Sequence, residues 1–319
     1  MSAESTIPST EQTSDAASAS GSDASPASLS ISIVSYYSPV EELKTTVSSL
    51  AGALRVLRKE SSNEATNGTS NDASATANSK SVGSINVILI DNSESASVTA
   101  EEFTSLQGLL SQVPANLTLI QGNGNVGYGA AHNLAILSSR SEFHLILNPD
   151  VTLAPDCLSA GLQFLNDNAD VVLVSPKAHG PNGERQFLCK RYPSAILLLL
   201  RGFFPWAIKA LFPRRNAEYE MRDLSDLEPS KDIPIAIGCF MLCRREALAT
   251  IRGFDPNYFL YFEDFDLSLR LAEQGTLAFL PAMQIVHGGG NAAKKGLRHI
   301  RLFMASGRRF FNRWGWRWL

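Results

Sequence analysis

The stretch Phe143–Val151, with the sequence FHLILNPDV, constrains the fold of this chain more than any other stretch. Its first five residues form a short apolar run, which is typical of a strand buried on both faces. Proline donates no ladder hydrogen bond and disfavours a helical residue before it, so the chain leaves the sheet at Asn148-Pro149-Asp150. An amide oxygen and a carboxylate then follow the carboxyl end of a core strand, where open α/β sheets bind ligands. Such oxygens can hold Mg²⁺ or Mn²⁺, although Asn-Pro-Asp is also ordinary turn chemistry.

Length, charge and cysteine spacing limit the classes of protein to which this chain can belong. A chain of 319 residues can form one large or two ordinary domains, and a formal net charge of −3 argues against a general nucleic-acid binder. The four cysteines show no zinc or redox spacing, and we expect Cys239 and Cys243 to be buried strand thiols. We recognise no signal peptide and no apolar stretch as long as the roughly 18 residues of a spanning helix, and therefore expect a reducing cytosol.

Apolar runs and amphipathic segments alternate from residue 29 onward. Strands are predicted over 29–34, 85–90, 117–120, 143–147 and 171–174. Helices are predicted between them, over 40–58, 99–111, 130–137 and 154–166. This alternation indicates an α/β fold, with a mostly parallel sheet flanked by helices. We expect Tyr36, Asp91 and Asp150, which follow three of the strands, to line one crevice.

Four segments have a composition unlike that of the domain, which we place over 29–305. Residues 1–28 are predicted to be a disordered tail, and residues 59–84, with low complexity clearest from Ser61, a disordered insertion. The segment 190–217 is predicted to be an amphipathic membrane-surface segment, and 306–319 a basic aromatic C-terminal tail. A core helix with a solvated tail, or contact with RNA, are the alternatives for the last two.

A glycine loop precedes the third predicted helix. Gly122, Gly124 and Gly127 match the spacing of the dinucleotide-binding fingerprint, but they follow the third strand rather than the first. The free amides of a helix start attract phosphates in either setting. The loop therefore leaves open a nucleotide-binding oxidoreductase beside other nucleotide-binding functions.

Seven blocks of sequence resemble, in order, the motifs of family 2 glycosyltransferases of the GT-A fold. They are Ser32–Tyr36, Asp91–Ser93, Gly124–Asn133, Leu147–Asp150, Ile237–Arg245, Gly253–Arg270 and Val286–His287. The closest similarity is to bacterial O-antigen and cell-wall rhamnosyltransferases, over about residues 29–305. Two positions depart from the family pattern. Tyr37 stands where members usually carry Asn, and Asn148 where many carry Asp, which implies looser metal binding with Asp150 as the only anionic ligand of that motif.

The resemblance implies a role for each residue of the crevice. Asp264 is the expected catalytic base, with Glu263 contacting the acceptor or orienting the loop. Asp150 and His287 are the expected ligands of Mg²⁺ or Mn²⁺. The nucleotide sugar is expected to contact Ser35, Tyr36, Asp91 (through a pyrimidine N–H), Asn92, Asn123, Asn125, Gly127, His132, Asn133 and Asn148. Tyr261, Asp266 and Arg191 are expected on the acceptor side.

Several of these residues also have structural explanations. Asn125 and Asn133 suit loop structure and helix capping, and a lone histidine such as His287 is more often structural. Three carboxylates at a helix start are favoured by the helix dipole, and Asp266 can serve as a cap.

The resemblance further implies an inverting transfer of L-rhamnose from dTDP-rhamnose to a polyprenyl-diphosphate-linked glycan. The expected location is peripheral, at an anionic membrane surface on the cytoplasmic face of the bacterial inner membrane, with no nucleic-acid partner. A nucleotide-binding oxidoreductase and a non-catalytic membrane-associated binding module are the alternatives.

Overall fold

A computed structural model describes residues 27–67, 82–289 and 296–318. The predicted disordered tail up to residue 26 and the predicted insertion over 68–81 lie outside the described residues. The insertion was predicted over 59–84, and both bounds are wrong, because the first helix continues to Asn67 and the second strand begins at Val82. Lys59, Glu60 and Glu64 are good helix formers, and the first glycine or proline after them in the sequence is Gly68.

Within the described residues, ten strands form one mixed sheet and two more form a short ribbon. The strands are β1 (Ala27–Ser35), β2 (Val82–Asp91), β3 (Ala115–Ile120), β4 (Phe143–Leu147), β5 (Val151–Leu153), β6 (Val171–His179), β7 (Arg185–Gln186), β8 (Cys189–Lys190), β9 (Ser230–Lys231), β10 (Ile235–Ala236), β11 (Phe240–Arg244) and β12 (Thr276–His287). The helices are α1 (Val40–Asn67), α2 (Ala100–Leu110), α3 (Tyr128–Ile136), α4 (Cys157–Asp167), α5 (Ala195–Phe203), α6 (Pro205–Leu211), α7 (Pro213–Tyr219), α8 (Arg245–Thr250), α9 (Glu263–Leu271) and α10 (Leu297–Trp314).

The main sheet has the order β3-β2-β1-β4-β11-β6-β12-β5. Its first four strands are parallel, and every residue of β4 is buried, as the apolar run predicted. The α/β fold class with helices on both faces is confirmed. Strand β11 enters antiparallel between β4 and β6, which the alternation of strands and helices did not predict. Cys239 and Cys243, immediately before and within β11, are buried free thiols, as predicted.

Strand β5 brings two distant parts of the chain together. It begins directly after Asp150 and pairs antiparallel with the end of β12, so that Val151 lies opposite His287. Val151 and His287, which are 136 positions apart in sequence, therefore become neighbours at one edge of the sheet.

The C-terminal region packs onto the domain instead of forming a separate tail. The predicted boundary between 305 and 306 falls inside α10, whose Phe310 and Phe311 are buried against Phe262 at ring distances of 5.4 and 6.3 Å. The alternation of arginines and aromatics had suggested a surface tail. On a helix, however, Phe310 and Phe311 lie on the stripe that faces the core while the arginines point outward.

The segment 190–217 is divided among short helices. Pro205 and Pro213 each begin a new helix, a position where a missing N–H costs nothing. Large apolar side chains on α5, α6 and the residues between α5 and α7 remain exposed: Ile196, Leu199, Phe203, Phe204, Trp206, Leu211 and Phe212. None of the helices in the described ranges combines the length and the apolar character that crossing a bilayer requires.

Candidate active site

The carboxyl ends of β1, β2 and β4 meet at one edge of the sheet. Ser35 is buried at the end of β1, and its carbonyl oxygen accepts the backbone N–H of Asn92 at 2.8 Å. Tyr36 is 48% exposed beside it, and its hydroxyl donates to Glu94 at 3.2 Å. These residues are placed together as predicted.

Asp91 holds the loop that follows β2. Its carboxylate accepts hydrogen bonds from the backbone N–H groups of Ser93, Ser97 and Val98 and from the Ser97 hydroxyl, at 2.6–3.2 Å. These hydrogen bonds lower the pKa of Asp91 in spite of the burial that opposes them. A carboxylate has about four lone-pair sites, and the loop occupies all of them. Asp91 is therefore fixed as a loop anchor, which does not fit the predicted contact with a pyrimidine N–H.

Two asparagines tie that loop to the glycine loop. The Asn92 side chain donates to Asn125 Oδ1 at 3.2 Å and accepts from the backbone N–H of Val126 at 3.0 Å. Asn125 also accepts from the backbone N–H of Gly127 at 3.2 Å, while Asn123 is exposed at the tip. These contacts favour the structural explanation of Asn125. They hold the glycine loop in place, with Asn123 facing solvent.

Two residues of α3 do not fit the predicted nucleotide contacts. His132 is fully buried, with Nδ1 2.7 Å from Ser32 Oγ, and burial lowers its pKa well below the usual value. The Asn133 amide donates to the carbonyl of Phe254 and accepts from its backbone N–H, both at 2.8 Å. His132 is thus a core histidine on the inner face of α3, and Asn133 clasps a loop of the second half of the chain.

The glycine loop also touches that second half directly. Gly127 has a φ of 92°, and a Cβ atom there would lie 2.5 Å from the carbonyl oxygen of Phe259. The same oxygen accepts the backbone N–H of Tyr128 at 3.0 Å. Position 127 therefore requires glycine for both its conformation and this approach.

The predicted metal ligands lie side by side. His287 Nε2 is 3.6 Å from Asp150 Oδ2, and both side chains are largely buried. Gln186 donates from Nε2 to the His287 carbonyl at 3.0 Å, which turns its Oε1 toward His287 Nδ1, 2.8 Å away. Nδ1 then carries the proton, and the lone pair of Nε2 faces Asp150.

This arrangement fits a divalent cation. Burial lowers the pKa of His287 although the charge of Asp150 opposes the shift, so the imidazole is neutral as a metal ligand must be. In the described part of the chain, His, Cys, Asp and Glu side chains form no group of three or more suited to a metal. Two protein ligands suit Mg²⁺ or Mn²⁺, which keep several waters and bind substrate phosphates.

Tyr128 joins the metal side of the site to the carboxylates of α9. Its hydroxyl lies 2.9 Å from Asn148 Oδ1 and 2.6 Å from the carbonyl oxygen of Gly238. Burial raises its pKa well above the usual value, and the charges of Cys239, Glu263, Asp264 and Asp150 add to the shift. The carboxylates predicted from separate motifs therefore converge around one phenol.

Glu263 and Asp264 occupy the first turn of α9 in different environments. Asp264 is partly exposed, and its two oxygens accept the backbone N–H groups of Gly238 and Phe265, each at 2.9 Å. Glu263 is only 5% exposed. Burial raises the pKa of both side chains. At Asp264 the two backbone hydrogen bonds and the charge of Lys190 counteract this rise, whereas at Glu263 the charge of Asp264 adds to it. Asp264 is therefore the group that ionises first.

The backbone before these carboxylates is strained. Tyr261 and Phe262 have φ values of 72° and 65°, a left-handed conformation that non-glycine residues rarely adopt. The Tyr261 hydroxyl lies 2.9 Å from His299 Nδ1 on α10, and Phe262 packs in the core. Helix α10 thus helps to impose the turn that presents Asp264.

Asp266 and Arg191 are bound within the protein. Asp266 is fully buried and accepts from Arg270 Nε at 2.7 Å and from Trp314 Nε1 at 2.9 Å, which ties α9 to α10. It is neither a cap nor reachable by an acceptor, contrary to both interpretations of the sequence. Arg191 makes a bidentate pair with Asp223 at 2.6 and 2.9 Å, yet remains at the surface of a groove.

Sequence reasoning missed Tyr128, Gly238, Gln186 and Lys190. Tyr128 stands in a quoted motif, but its contacts with Asn148 and Gly238 span up to 110 positions. Gln186 lies on the two-residue strand β7, which has no periodicity to recognise. The residue before it, Arg185, carries a positive charge, which was the only local signal in this part of the sequence.

Comparison with known proteins places the chain in a family. The sequence model of "Glycosyl transferase family 2" matches residues 74–252, more than half of the chain. The chain is 28% identical over 185 residues to the N-acetylglucosaminyl-diphospho-decaprenol L-rhamnosyltransferase of Mycobacterium tuberculosis (strain ATCC 25618 / H37Rv), covering 54% of this chain and 59% of that protein. It is 24% identical over 185 residues to the rhamnosyltransferase WbbL of Escherichia coli (strain K12), covering 54% of this chain and 64% of that protein. The chain thus spans less than two thirds of the length of these curated relatives.

One solved structure shows the same fold. The crystal structure of GalNAc-T7 with UDP, GalNAc and Mn²⁺ superposes with a TM-score of 0.53 and 15% identity, covering 83% of this chain and 44% of that one. The likeness confirms the GT-A fold that the seven blocks implied. The comparisons give no support to the alternatives of an oxidoreductase or a non-catalytic binding module.

Proposed function

The chain belongs to glycosyl transferase family 2, and on that premise we propose that it is an inverting glycosyltransferase that moves L-rhamnose from dTDP-rhamnose to a lipid-linked glycan. The acceptor is a polyprenyl-diphosphate-linked N-acetylglucosamine, as the name of the mycobacterial relative describes for that protein. The observation that carries the proposal is the pair on α9, one carboxylate partly exposed and hydrogen-bonded, its neighbour buried.

Asp264 supplies the chemistry that inversion requires. It takes the proton of the acceptor hydroxyl while that oxygen attacks the anomeric carbon from the side opposite the departing nucleotide. A single base is sufficient, because no covalent sugar intermediate has to form. Glu263, buried and holding its proton more firmly, keeps negative charge away from the attacking oxygen and supports the loop.

Asp150 and His287 would hold a divalent cation, with Gln186 fixing the imidazole. When bound, that cation supplies positive charge to the diphosphate of the leaving nucleotide. Asn148, two residues before Asp150, is held by Tyr128 and so keeps the strand end in place. The exposed edge formed by Tyr36 and Asn123, with the ordered amides of the glycine loop, is the surface proposed for the nucleotide.

The acceptor side is proposed to face a membrane. The exposed aromatic and aliphatic side chains of α5 and α6, among them Trp206 at 69% exposure, suit a surface that lies in the headgroup plane. Arg191 is proposed to lie on this side, and Tyr261 to shape the turn there. We propose a peripheral location at the cytoplasmic face of the bacterial inner membrane.

Transfer assays with a panel of nucleotide sugars test the proposal. Asp264→Asn is nearly isosteric and is expected to retain nucleotide binding while lowering turnover by about two to four orders of magnitude. Asp167→Asn, on the exposed end of α4, is the matched control. A loss of less than about threefold for Asp264→Asn, with abolition by Glu263→Gln, would exchange the two roles. Equal turnover of Asp264→Asn, Glu263→Gln and the wild type would reject both.

A further inference from the structure

A surface groove lies between helices α5 to α7 and the C-terminal segment. It encloses about 380 Å³, within the usual range of small-molecule sites. Its lining is of two kinds. The first kind is the apolar side chains Ile196, Leu197, Leu200, Ile208 and Phe212. The second is the arginines Arg191, Arg215 and Arg317, with Glu218 as the single acidic side chain of the lining.

Further positive charge lies next to the groove. Behind the lining residue Tyr219, the buried carboxylate of Glu220 lies 2.8 Å from Arg201, 2.5 Å from Arg222 and 3.9 Å from Lys190. Lys190 and Arg201 also lie over the Tyr219 ring, at 5.4 and 5.2 Å from its centroid. Three cations therefore surround one anion, and the excess positive charge favours an anionic ligand on the open side of Tyr219.

The groove is close to the proposed catalytic base. The charge of Asp264 adds to the burial that raises the pKa of Tyr219, and Lys190 in turn lowers the pKa of Asp264 against its burial. Tyr219 also belongs to the same buried cluster as Phe265, the residue after Asp264. The C-terminal segment closes the groove on the far side, where the Arg317 carbonyl accepts the backbone N–H of Ala195 at 2.7 Å and its guanidinium lies 4.5 Å from the Tyr192 ring centroid.

We propose that this groove binds an isoprenoid diphosphate, with the diphosphate at Arg215 and Arg317 and the first isoprene units along Ile196, Leu200 and Phe212. This inference rests on the proposed function, and it identifies the lipid carrier as part of what the enzyme recognises. Arginine guanidinium groups match phosphate oxygens in pairs of hydrogen bonds. Ile196 and Phe212 of the lining also belong to the exposed apolar side chains that are proposed to meet the membrane, so the isoprenoid chain can leave the groove toward lipid.

Two neighbouring arginines provide a matched test. Arg214 and Arg215 are consecutive and exposed on α7, but only Arg215 lines the groove. The assay compares two acceptors with the same N-acetylglucosamine and the same farnesyl chain, one joined through a diphosphate and one through a plain glycosidic bond. The wild type is expected to prefer the diphosphate acceptor in kcat/KM. Arg215→Ala is expected to reduce that preference by about tenfold or more, as for loss of a charge-assisted hydrogen bond, and Arg214→Ala by less than twofold.

A direct measurement keeps the inference separate from the proposed reaction. Calorimetric binding of farnesyl diphosphate is expected to weaken by a similar factor in Arg215→Ala and to be unchanged in Arg214→Ala. Equal effects of the two variants would mean diffuse attraction to an anionic surface and would overturn the site, as would unaltered binding in Arg215→Ala. A change of molecular mass in sedimentation of Arg215→Ala would assign the groove to contact between copies instead. Binding without transfer from any donor would reject the proposed function while leaving the site intact.

Discussion

At the scale of single residues, two adjacent carboxyl groups differ in pKa because their side chains point into different environments. Asp264 faces Gly238 and accepts backbone hydrogen bonds, whereas Glu263 points into the protein. The folded protein therefore retains a proton on Glu263 that the unfolded chain releases above its usual pKa near 4.5. When the native state binds more protons than the unfolded state, stability falls as the pH rises.

The variant Glu263→Gln tests this pH dependence. Below pH about 4.5 the stabilising effect of the raised pKa is fully present, and it is lost as the pH rises through the raised value. The glutamine variant cannot ionise, so its melting temperature is expected to exceed that of the wild type at pH 8 and to converge with it toward pH 5. Calorimetric scans across this range provide the measurement, with the exposed Glu246→Gln as control. A wild type that melts higher than the variant at pH 8 would show that the ionised form of Glu263 is stabilised.

Gln186 offers a residue-level test of the metal site. Its amide holds both the carbonyl and Nδ1 of His287, and removal of such a partner typically lowers metal affinity 10–100-fold. Gln186→Ala is expected to weaken Mn²⁺ binding by that factor, as measured by electron paramagnetic resonance of free Mn²⁺. Gln163→Ala, whose side chain bonds Asp167 on the exposed face of α4, is the control. Identical Mn²⁺ affinity in the two variants would show that Gln186 does not position His287 for metal binding.

At the scale of elements, the sequence predicted what depends on local pattern. The strands that became β1, β2 and β4 are apolar runs ended by turn residues, and their carboxyl ends meet as expected. The antiparallel orientation of β11 could not be predicted in this way, because the apolar pattern of a short buried strand is the same whether the strand runs parallel or antiparallel to its neighbours. The pattern of residues on a helix likewise does not indicate which element each of them contacts. His132 and Asn133 are adjacent on α3, yet one enters the core and the other holds Phe254, 121 positions away.

The clasp made by Asn133 provides a prediction for how elements are joined. Asn133→Leu keeps the approximate size but leaves the backbone N–H and carbonyl of Phe254 without that partner. The free energy of unfolding is expected to fall by about 1–3 kcal/mol, as measured by chemical denaturation, with nucleotide affinity of the folded variant retained. Asn123→Leu at the exposed loop tip should leave stability unchanged. A folded Asn133→Leu of wild-type stability with weakened nucleotide binding would restore the role that the sequence resemblance implied.

At the scale of the whole molecule, helix α10 packs into the core of the domain. Basic and aromatic residues in 306–319 predicted a surface segment, and composition alone could not reveal that Phe310 and Phe311 complete a core with Phe262 and Tyr192. The aromatic cluster lies directly behind the strained turn before Asp264. The C-terminal helix therefore belongs to the active-site architecture as well as to the fold.

Replacing one of these phenylalanines measures that contribution. Phe310 is fully buried, and Phe310→Ala is expected to lower the free energy of unfolding by about 3–5 kcal/mol because it leaves a cavity. Trp318→Ala, 59% exposed at the end of the same segment, should change it by less than about 0.5 kcal/mol. Denaturant unfolding distinguishes the two. Unchanged stability of Phe310→Ala together with weaker vesicle binding would indicate that the helix acts as a detachable anchor after all.

The contact between Gly127 and the Phe259 carbonyl couples the binding of the two substrates. The loop proposed to hold the nucleotide and the turn that presents Asp264 share a backbone hydrogen bond and leave no space for a side chain between them. A ligand that restrains one segment must therefore restrain the other, and thermodynamic linkage makes the effect equal in both directions. Occupancy by the nucleotide sugar should raise the affinity for the acceptor by the same factor that the acceptor raises the affinity for the sugar donor. Such reciprocity favours a ternary complex and disfavours loss of the activated sugar to water.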